Sequence, residues 1–200
     1  MSEMREFPTW QDVYLTDVER MPWFFPELDP DLQEALDARG IVRGRVLDVG
    51  TGPGTQAIAL ARRGLDVVAT DIAPAAIARA RDRGRREGVH VDWREDNIVE
   101  SRLTGPFDWA FDRGCFHVLF PEQRATYVAR MHTLLRPRGL LFLKCFSRLQ
   151  PGEHGPHRFT SQQIHAMFTG PFHVASVRET VYHGPIEPPP RALFCVLERV

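Results

Sequence analysis

Lysine is almost missing from this chain. Of its 25 Lys and Arg residues only Lys144 is lysine, and 26 acids leave a net charge of −1. A balance so near zero gives no long-range attraction to nucleic acid, and no nucleic-acid partner is expected. The densest basic run, Arg79, Arg81, Arg83, Arg85 and Arg86, is interrupted by Asp82 and followed by Glu87, and reads as a solvated helix face. Cysteine is scarce too. Cys115, Cys145 and Cys195 make an odd count of 3, which argues for reduced thiols rather than a disulfide frame. Long apolar runs are missing: none reaches the roughly 18 residues that cross a bilayer. Met1–Phe7 is polar and holds acids, unlike a secretory signal. A cytoplasmic protein with no membrane partner is expected. Internal repeats and long low-complexity tracts are absent as well.

What is present suits one globular domain over residues 1–200, with 43% hydrophobic and 26% charged residues. Strands are predicted at Val46–Val49, Asp66–Asp71, His90–Arg94, Phe107–Asp112 and Leu140–Phe146. Helices are predicted at Gln56–Arg63, Pro74–Glu87 and Pro121–Leu135, the last closed by a turn at Arg136–Gly139. Another helix, Ser161–Phe168, precedes two strands, Phe172–Val181 and Arg191–Glu198. The alternation implies a doubly wound, mainly parallel α/β sheet with helices on both faces. The last two strands have no helix between them and should pair antiparallel. Ahead of the sheet, residues 1–40 carry Trp10, Tyr14, Trp23, Phe24 and Phe25, which read as a cap over a site or as packing.

Three markers follow one another at strand ends. Asp48-Val49-Gly50-Thr51-Gly52-Pro53-Gly54-Thr55 leaves the first strand and opens a helix. Alternating glycines let backbone approach a ligand, and amides at the helix start favour a polar group. A dinucleotide loop would need glycine where Thr55 stands. Asp48 has no role in that pattern, but it can meet the amino group of a ligand that carries an amino acid. Asp71 ends the second strand and can accept both hydroxyls of a ribose. Asp96 and Asn97 follow the third and can hydrogen-bond an adenine edge, with Ile72 or Ile98 against the ring.

LDVGTGPGT, VVATDI and REDNI together resemble the nucleoside-binding set of class I S-adenosylmethionine-dependent methyltransferases. The resemblance implies a Rossmann-like seven-stranded sheet with a reversed last strand, and S-adenosyl-L-methionine as cofactor. A narrower resemblance, to the thiopurine and tellurite-resistance branch, rests on Phe111-Asp112-Arg113-Gly114-Cys115-Phe116-His117, Tyr127, His154-Gly155-Pro156, Phe159 and Leu193-Phe194, with Trp10 and Tyr14. It implies that Arg113 faces the acceptor and that Trp10 and Tyr14 lie near the methionine part of the cofactor. Residues 1–40 would then cap the cofactor site of a core spanning 41–200. The glycine loop keeps the generic D-x-G-x-G-x-G form, so acceptor identity does not transfer.

Methyl transfer from a sulfonium asks the protein mainly to align the reactants and exclude water. Asp112, Arg113 and His117 are the candidate catalytic residues. The candidate cofactor residues are Trp10, Tyr14, Asp48, Gly50, Thr51, Gly52, Gly54, Thr55, Asp71, Ile72, Asp96, Asn97, Ile98 and Asp112. His154 and His157 are further base candidates, and Asp112 could equally orient its loop. Cys115 and Cys145 could bind a soft acceptor or simply pack as small hydrophobes. His154-x-x-His157 lacks an accompanying cysteine or acid, and no metal is expected. The expected partner is a small-molecule acceptor, with sulfur or another soft atom favoured over an amine or hydroxyl. A nicotinamide oxidoreductase, a macromolecular methyltransferase and a non-catalytic cofactor-binding protein are the competing readings. Monomer and homodimer stay open.

Overall fold

The computed structural model describes residues 9–152 and 154–200. Met1–Phe7, read above against a secretory signal, lies outside the described residues. The first strand, β1 (Arg45–Val49), pairs in parallel with β2 (Asp66–Asp71) and β4 (Phe107–Arg113). β3 (Asp92–Glu95) adds to β2, and β5 (Leu135–Ser147) adds to β4, both in parallel. β8 (Arg191–Arg199) then runs antiparallel to both β5 and β7 (Phe172–Val181). The order is β3-β2-β1-β4-β5-β8-β7, with the two-residue β6 (Arg158–Phe159) also on β5. The Rossmann-like expectation is met, including the antiparallel final pair. β6 makes an eighth strand that two residues of sequence do not signal.

Side chains alternate across the sheet with period two. Leu47, Val68, Ala110, Leu141, Leu143, Leu193 and Cys195 enter one layer, with Tyr127, Met131, Ile164 and Phe168 of α5 (Arg124–Leu134) and α6 (Ser161–Phe168). Val46, Val67, Trp109, Phe111, Phe142 and Phe194 enter the other, with α2 (Pro30–Ala38) and α3 (Thr55–Arg62). The α2 helix was not among the predicted elements, although its signals are ordinary. The Asp29 carboxylate caps the Asp31 N–H, Pro30 occupies the first turn, and Leu32, Ala35 and Leu36 form the buried stripe. A short α1 (Trp10–Val13) lies near the start of α4 (Pro74–Arg86). The turn read at Arg136–Gly139 is a bulge inside β5, where Leu135 pairs with Phe107 and Leu140 with Trp109. No helix among the described residues is long and apolar enough to cross a membrane.

The parallel strands place their carboxyl ends on one edge. Strand order reverses between β1 and β4, the point where open α/β sheets bind ligands.

Candidate functional site

The glycine loop lies at this reversal. Gly54, at φ +81°, caps α3 without a side chain; a Cβ there would stand 2.8 Å from both Ala80 and Trp93. Gly52, at φ +54°, has the Tyr14 hydroxyl 2.8 Å from where its Cβ would be. Both positions therefore exclude side chains by conformation and by space. A Cβ at Gly50 would meet that of Cys115 at 2.8 Å. Thr51 donates its hydroxyl to Asp48 Oδ2 at 2.5 Å, and its N–H reaches Thr70 O. Thr55 opens α3 and is buried.

Three aspartates end neighbouring strands, and all are buried. Burial, together with the charges of Asp112 and Asp71, raises Asp48 to about 7 against the Thr51 hydrogen bond. Burial likewise raises Asp71 to about 6, although Ala73, Gly52 and Ile72 amides oppose it. Asp71 Oδ2 accepts from Gly52 N–H and Oδ1 from Ala73 N–H, both at 2.9 Å. Each oxygen keeps an acceptor position. Carboxylates crowded in this way favour a cationic ligand.

At the end of β3, Asp96 Oδ2 is buried without a hydrogen-bond partner, while Oδ1 takes only a 3.4 Å contact from Arg102 N–H. Asn97 closes a local turn with Val99 N–H and Glu100. Ile72 is 51% exposed just past Asp71, whereas Ile98 lies in the core.

The residues at the end of β4 divide between the two layers. Asp112 faces α5. Its Oδ1 accepts from Gly114 and Cys115 N–H at 2.9 and 2.8 Å, and its Oδ2 from Phe116 N–H and the Tyr127 hydroxyl at 3.0 and 2.7 Å. Burial raises it to about 6. His117 is buried; its Nδ1 accepts from Phe146 N–H at 3.2 Å, which puts the proton of the neutral ring on Nε2. Burial, His157 and Arg113 push its pKa down to about 3. His157 donates its N–H to His117 O, and His154 is exposed. Cys115 sits against Gly50, while Cys145 is fully buried beside Cys195.

Arg113 faces the α2 layer and is held on three sides. Nε donates to Asp29 Oδ2 at 2.9 Å, one Nη to Trp23 O at 2.9 Å and the other to His183 O at 2.7 Å. Its register partner on β5 is Lys144, the sole lysine, at 0% exposure. Lys144 Nζ donates to Asp29 at 2.9 and 2.7 Å and pairs with Asp31 at 2.7 Å. Arg178 also pairs with Asp31 and with Glu34. Burial would raise the Asp29 pKa, but Lys144 and Arg113 outweigh it and hold the carboxyl below its usual value. Sequence reasoning passed over Asp29, Asp31 and Lys144 as functional residues. The available signal was a lysine inside the otherwise apolar strand predicted at Leu140–Phe146.

The N-terminal aromatics complete the edge. Trp10 lies 6.5 Å from Tyr14 and 6.1 Å, edge-on, from Trp23. The segment is tied to α4: Ala75 N–H donates to Gln11 at 3.0 Å, Arg79 to Tyr14 O at 2.5 Å, and Arg83 to Glu19 at 2.8 Å. Asp29 N–H donates to Gln56 Oε1 on α3 at 2.8 Å, which joins the segment to the glycine-loop helix.

With this geometry in view, residues 46–139 match the family model described as a methyltransferase domain. The chain is 41% identical over 110 residues to a ubiquinone biosynthesis O-methyltransferase of Xylella fastidiosa, a match covering 52% of this chain and 42% of that one. It is 33% identical over 109 residues to an uncharacterized methyltransferase of Schizosaccharomyces pombe, covering 54% of this chain and 75% of that one. The chain spans about half the length of the curated ubiquinone-biosynthesis relatives it matches. A solved structure from work on the conversion of a disulfide bond into a thioacetal group during echinomycin biosynthesis superposes with a TM-score of 0.81. That match has 21% identity and covers 95% of this chain and 91% of that one.

Proposed function

The chain belongs to the class I S-adenosylmethionine-dependent methyltransferases, and on that premise we propose that it methylates a small molecule that arrives as a soft anion, most simply a thiolate. The observation that carries this reading is that the acid and the base expected beside the acceptor are already engaged. Asp112 accepts from three amides and a tyrosine, and the His117 Nδ1 lone pair is taken by Phe146 N–H. With a pKa near 3, His117 is neutral at ordinary pH and does not gain a proton there. A nucleophile that ionises unaided suits such an edge, whereas a hydroxyl or amine asks for a base.

When bound, S-adenosylmethionine supplies a methyl group activated by a sulfonium leaving group. The residues present fit it. Asp96 Oδ2 has an acceptor position open for the adenine amino group, and exposed Ile72 offers a face to the ring. Asp71 holds the ribose hydroxyls. The buried Asp48, Asp71 and Asp112 favour the ligand's positive charges. Gly50, Gly52 and Gly54 let the loop approach it, and Trp10, Tyr14 and Trp23 exclude water as part of a cap. Arg113 anchors that cap through Trp23 O and so positions the acceptor side.

Two arms test this reading. In a labelled-methyl assay, a thiol is expected to accept methyl at least roughly 10²-fold faster than its matched alcohol or amine, the scale of a missing general base. Equal or faster transfer to the alcohol would overturn it. One observation favours that second reading: the half-buried His183 ring lies 5.9 Å from Phe25, next to the backbone oxygen that Arg113 holds. The O-methyltransferase name of the Xylella fastidiosa relative points the same way, while the thioacetal work named for the solved structure points to sulfur.

Asp71→Ala is expected to weaken binding of the demethylated cofactor by about 1–3 kcal/mol in calorimetry. In the unaltered protein the ionised carboxylate is the form that accepts hydroxyls, and it gains a proton as pH falls through about 6. Affinity should therefore decline as pH falls through about 7 to 6, the range in which Asp48 and then Asp71 gain protons, and Asp71→Asn should remove the lower part of that decline. Unchanged affinity in Asp71→Ala would remove the ribose assignment.

A further inference from the structure

At the amino edge of the sheet, opposite the glycine loop, an open cleft of about 410 Å³ lies between the starts of β1, β4 and β5. Three arginines, Arg43, Arg136 and Arg138, line it against one acid, Asp108. That acid is spent: Oδ1 accepts from Arg136 Nε and Oδ2 from Arg45 N–H, both at 2.8 Å. Arg43 makes no ion pair among the described residues, and Arg138 has only a 3.3 Å contact with Glu198 at 81% side-chain exposure. The cleft thus keeps an excess of guanidinium, the group suited to bidentate contact with phosphate.

Its floor is apolar, formed by Ile41, Leu140 and Trp109. Trp109 is buried, and its indole Nε1 has no hydrogen-bond partner. Buried indole N–H groups ordinarily find one. Arg138, on the β5 bulge, is the one non-glycine residue with positive φ, +60°, among the described residues. Backbone held in that region gathers at ligand-binding sites. None of these features serves the methyl-transfer edge.

We propose that this cleft binds a phosphorylated small molecule, its phosphate held by Arg43, Arg136 and Arg138 and its apolar body resting on Ile41, Leu140 and Trp109. The site is separate from that of the methyl donor, so the two ligands bind together.

The chain's 4 tryptophans give a direct readout through their indole N–H resonances in a nitrogen–proton correlation spectrum, with Trp109→Phe assigning one of them. Millimolar phenyl phosphate is expected to move the Trp109 resonance saturably, with S-adenosylhomocysteine present or absent. Arg43→Ala/Arg138→Ala should weaken that response roughly ten-fold or more, the scale of two lost charge-assisted contacts. Inorganic pyrophosphate is the second probe. If it binds less well than phenyl phosphate, the apolar body contributes as proposed; if it binds as well, the arginine contacts stand and the apolar contact is overturned. Three results would overturn the site. They are a Trp109 resonance that does not move, a response undiminished in the double variant, and displacement of phenyl phosphate by S-adenosylhomocysteine.

Discussion

Lys144→Ala is expected to lower folding stability by about 3–5 kcal/mol, the cost of breaking a buried ion pair by removing one partner. For a chain of this length that is a fall in Tm of roughly 6–20 °C. The size follows from what stays behind. Asp29 would keep Arg113 alone, and Asp31 would turn toward Arg178, both inside a site that Lys144 now fills at 0% exposure. A second variant separates charge from packing. Lys144→Met/Asp31→Asn removes one charge of each sign and leaves Asp29 to Arg113 and Arg178 to Glu34. It should recover more than half of the loss, because the penalty belongs to the stranded carboxylate and not to the missing lysine. A cost below about 1 kcal/mol for Lys144→Ala would mean that the network behaves like a solvated surface pair.

Asp112→Ala is expected to cost roughly 3 kcal/mol or more and to abolish methyl transfer, because it strands several buried donors at once. Three backbone amides of the loop after β4 and the Tyr127 hydroxyl converge on this carboxylate. Without it the loop that carries Cys115 against Gly50 loses its anchor. Asp112→Asn separates anchoring from proton transfer. An amide oxygen still accepts from Gly114 and Cys115, so a positioning role leaves measurable activity and a moderate loss of stability. A general base would give the reverse, with unchanged Tm and a fall in kcat of roughly 10²–10⁴-fold. Thermal melts and kinetics on the same two variants decide between them.

The contrast between these residues and the glycine loop explains what was legible in the sequence. LDVGTGPGT, Asp71 and Asp96 are read within single strand-loop units, where a few residues determine both conformation and chemistry. The short apolar runs at Val46–Val49 and Phe107–Asp112, in a chain that alternates strands with helices, likewise make the sheet readable. Asp29 and Lys144 are 115 positions apart and meet only because α2 packs across the ends of β4 and β5. No local pattern encodes that meeting. Arg113 shows the same limit: its position was readable, but its partners come from two distant segments, Trp23 and Asp29 ahead of α2 and His183 after β7. His117 was readable as a candidate catalytic residue, and only the fold reveals that burial and Phe146 N–H oppose its acting as a base. The α2 helix stands apart, since Asp29-Pro30 and the Leu32, Ala35, Leu36 stripe were within reach of sequence reasoning.

On the proposed reading, the acceptor brings its own negative charge to an edge whose acid and histidine are occupied. The most direct measurement is kcat/KM against pH for two thiol acceptors of similar shape and different thiol pKa, above the range in which Asp48, Asp71 and Asp112 titrate. The expected result is a rate that rises with pH through each thiol's own pKa, so that the two midpoints differ by the difference between the thiols. A single midpoint common to both thiols, and shifted by His183→Gln, would contradict a self-ionising acceptor and place the base in the protein.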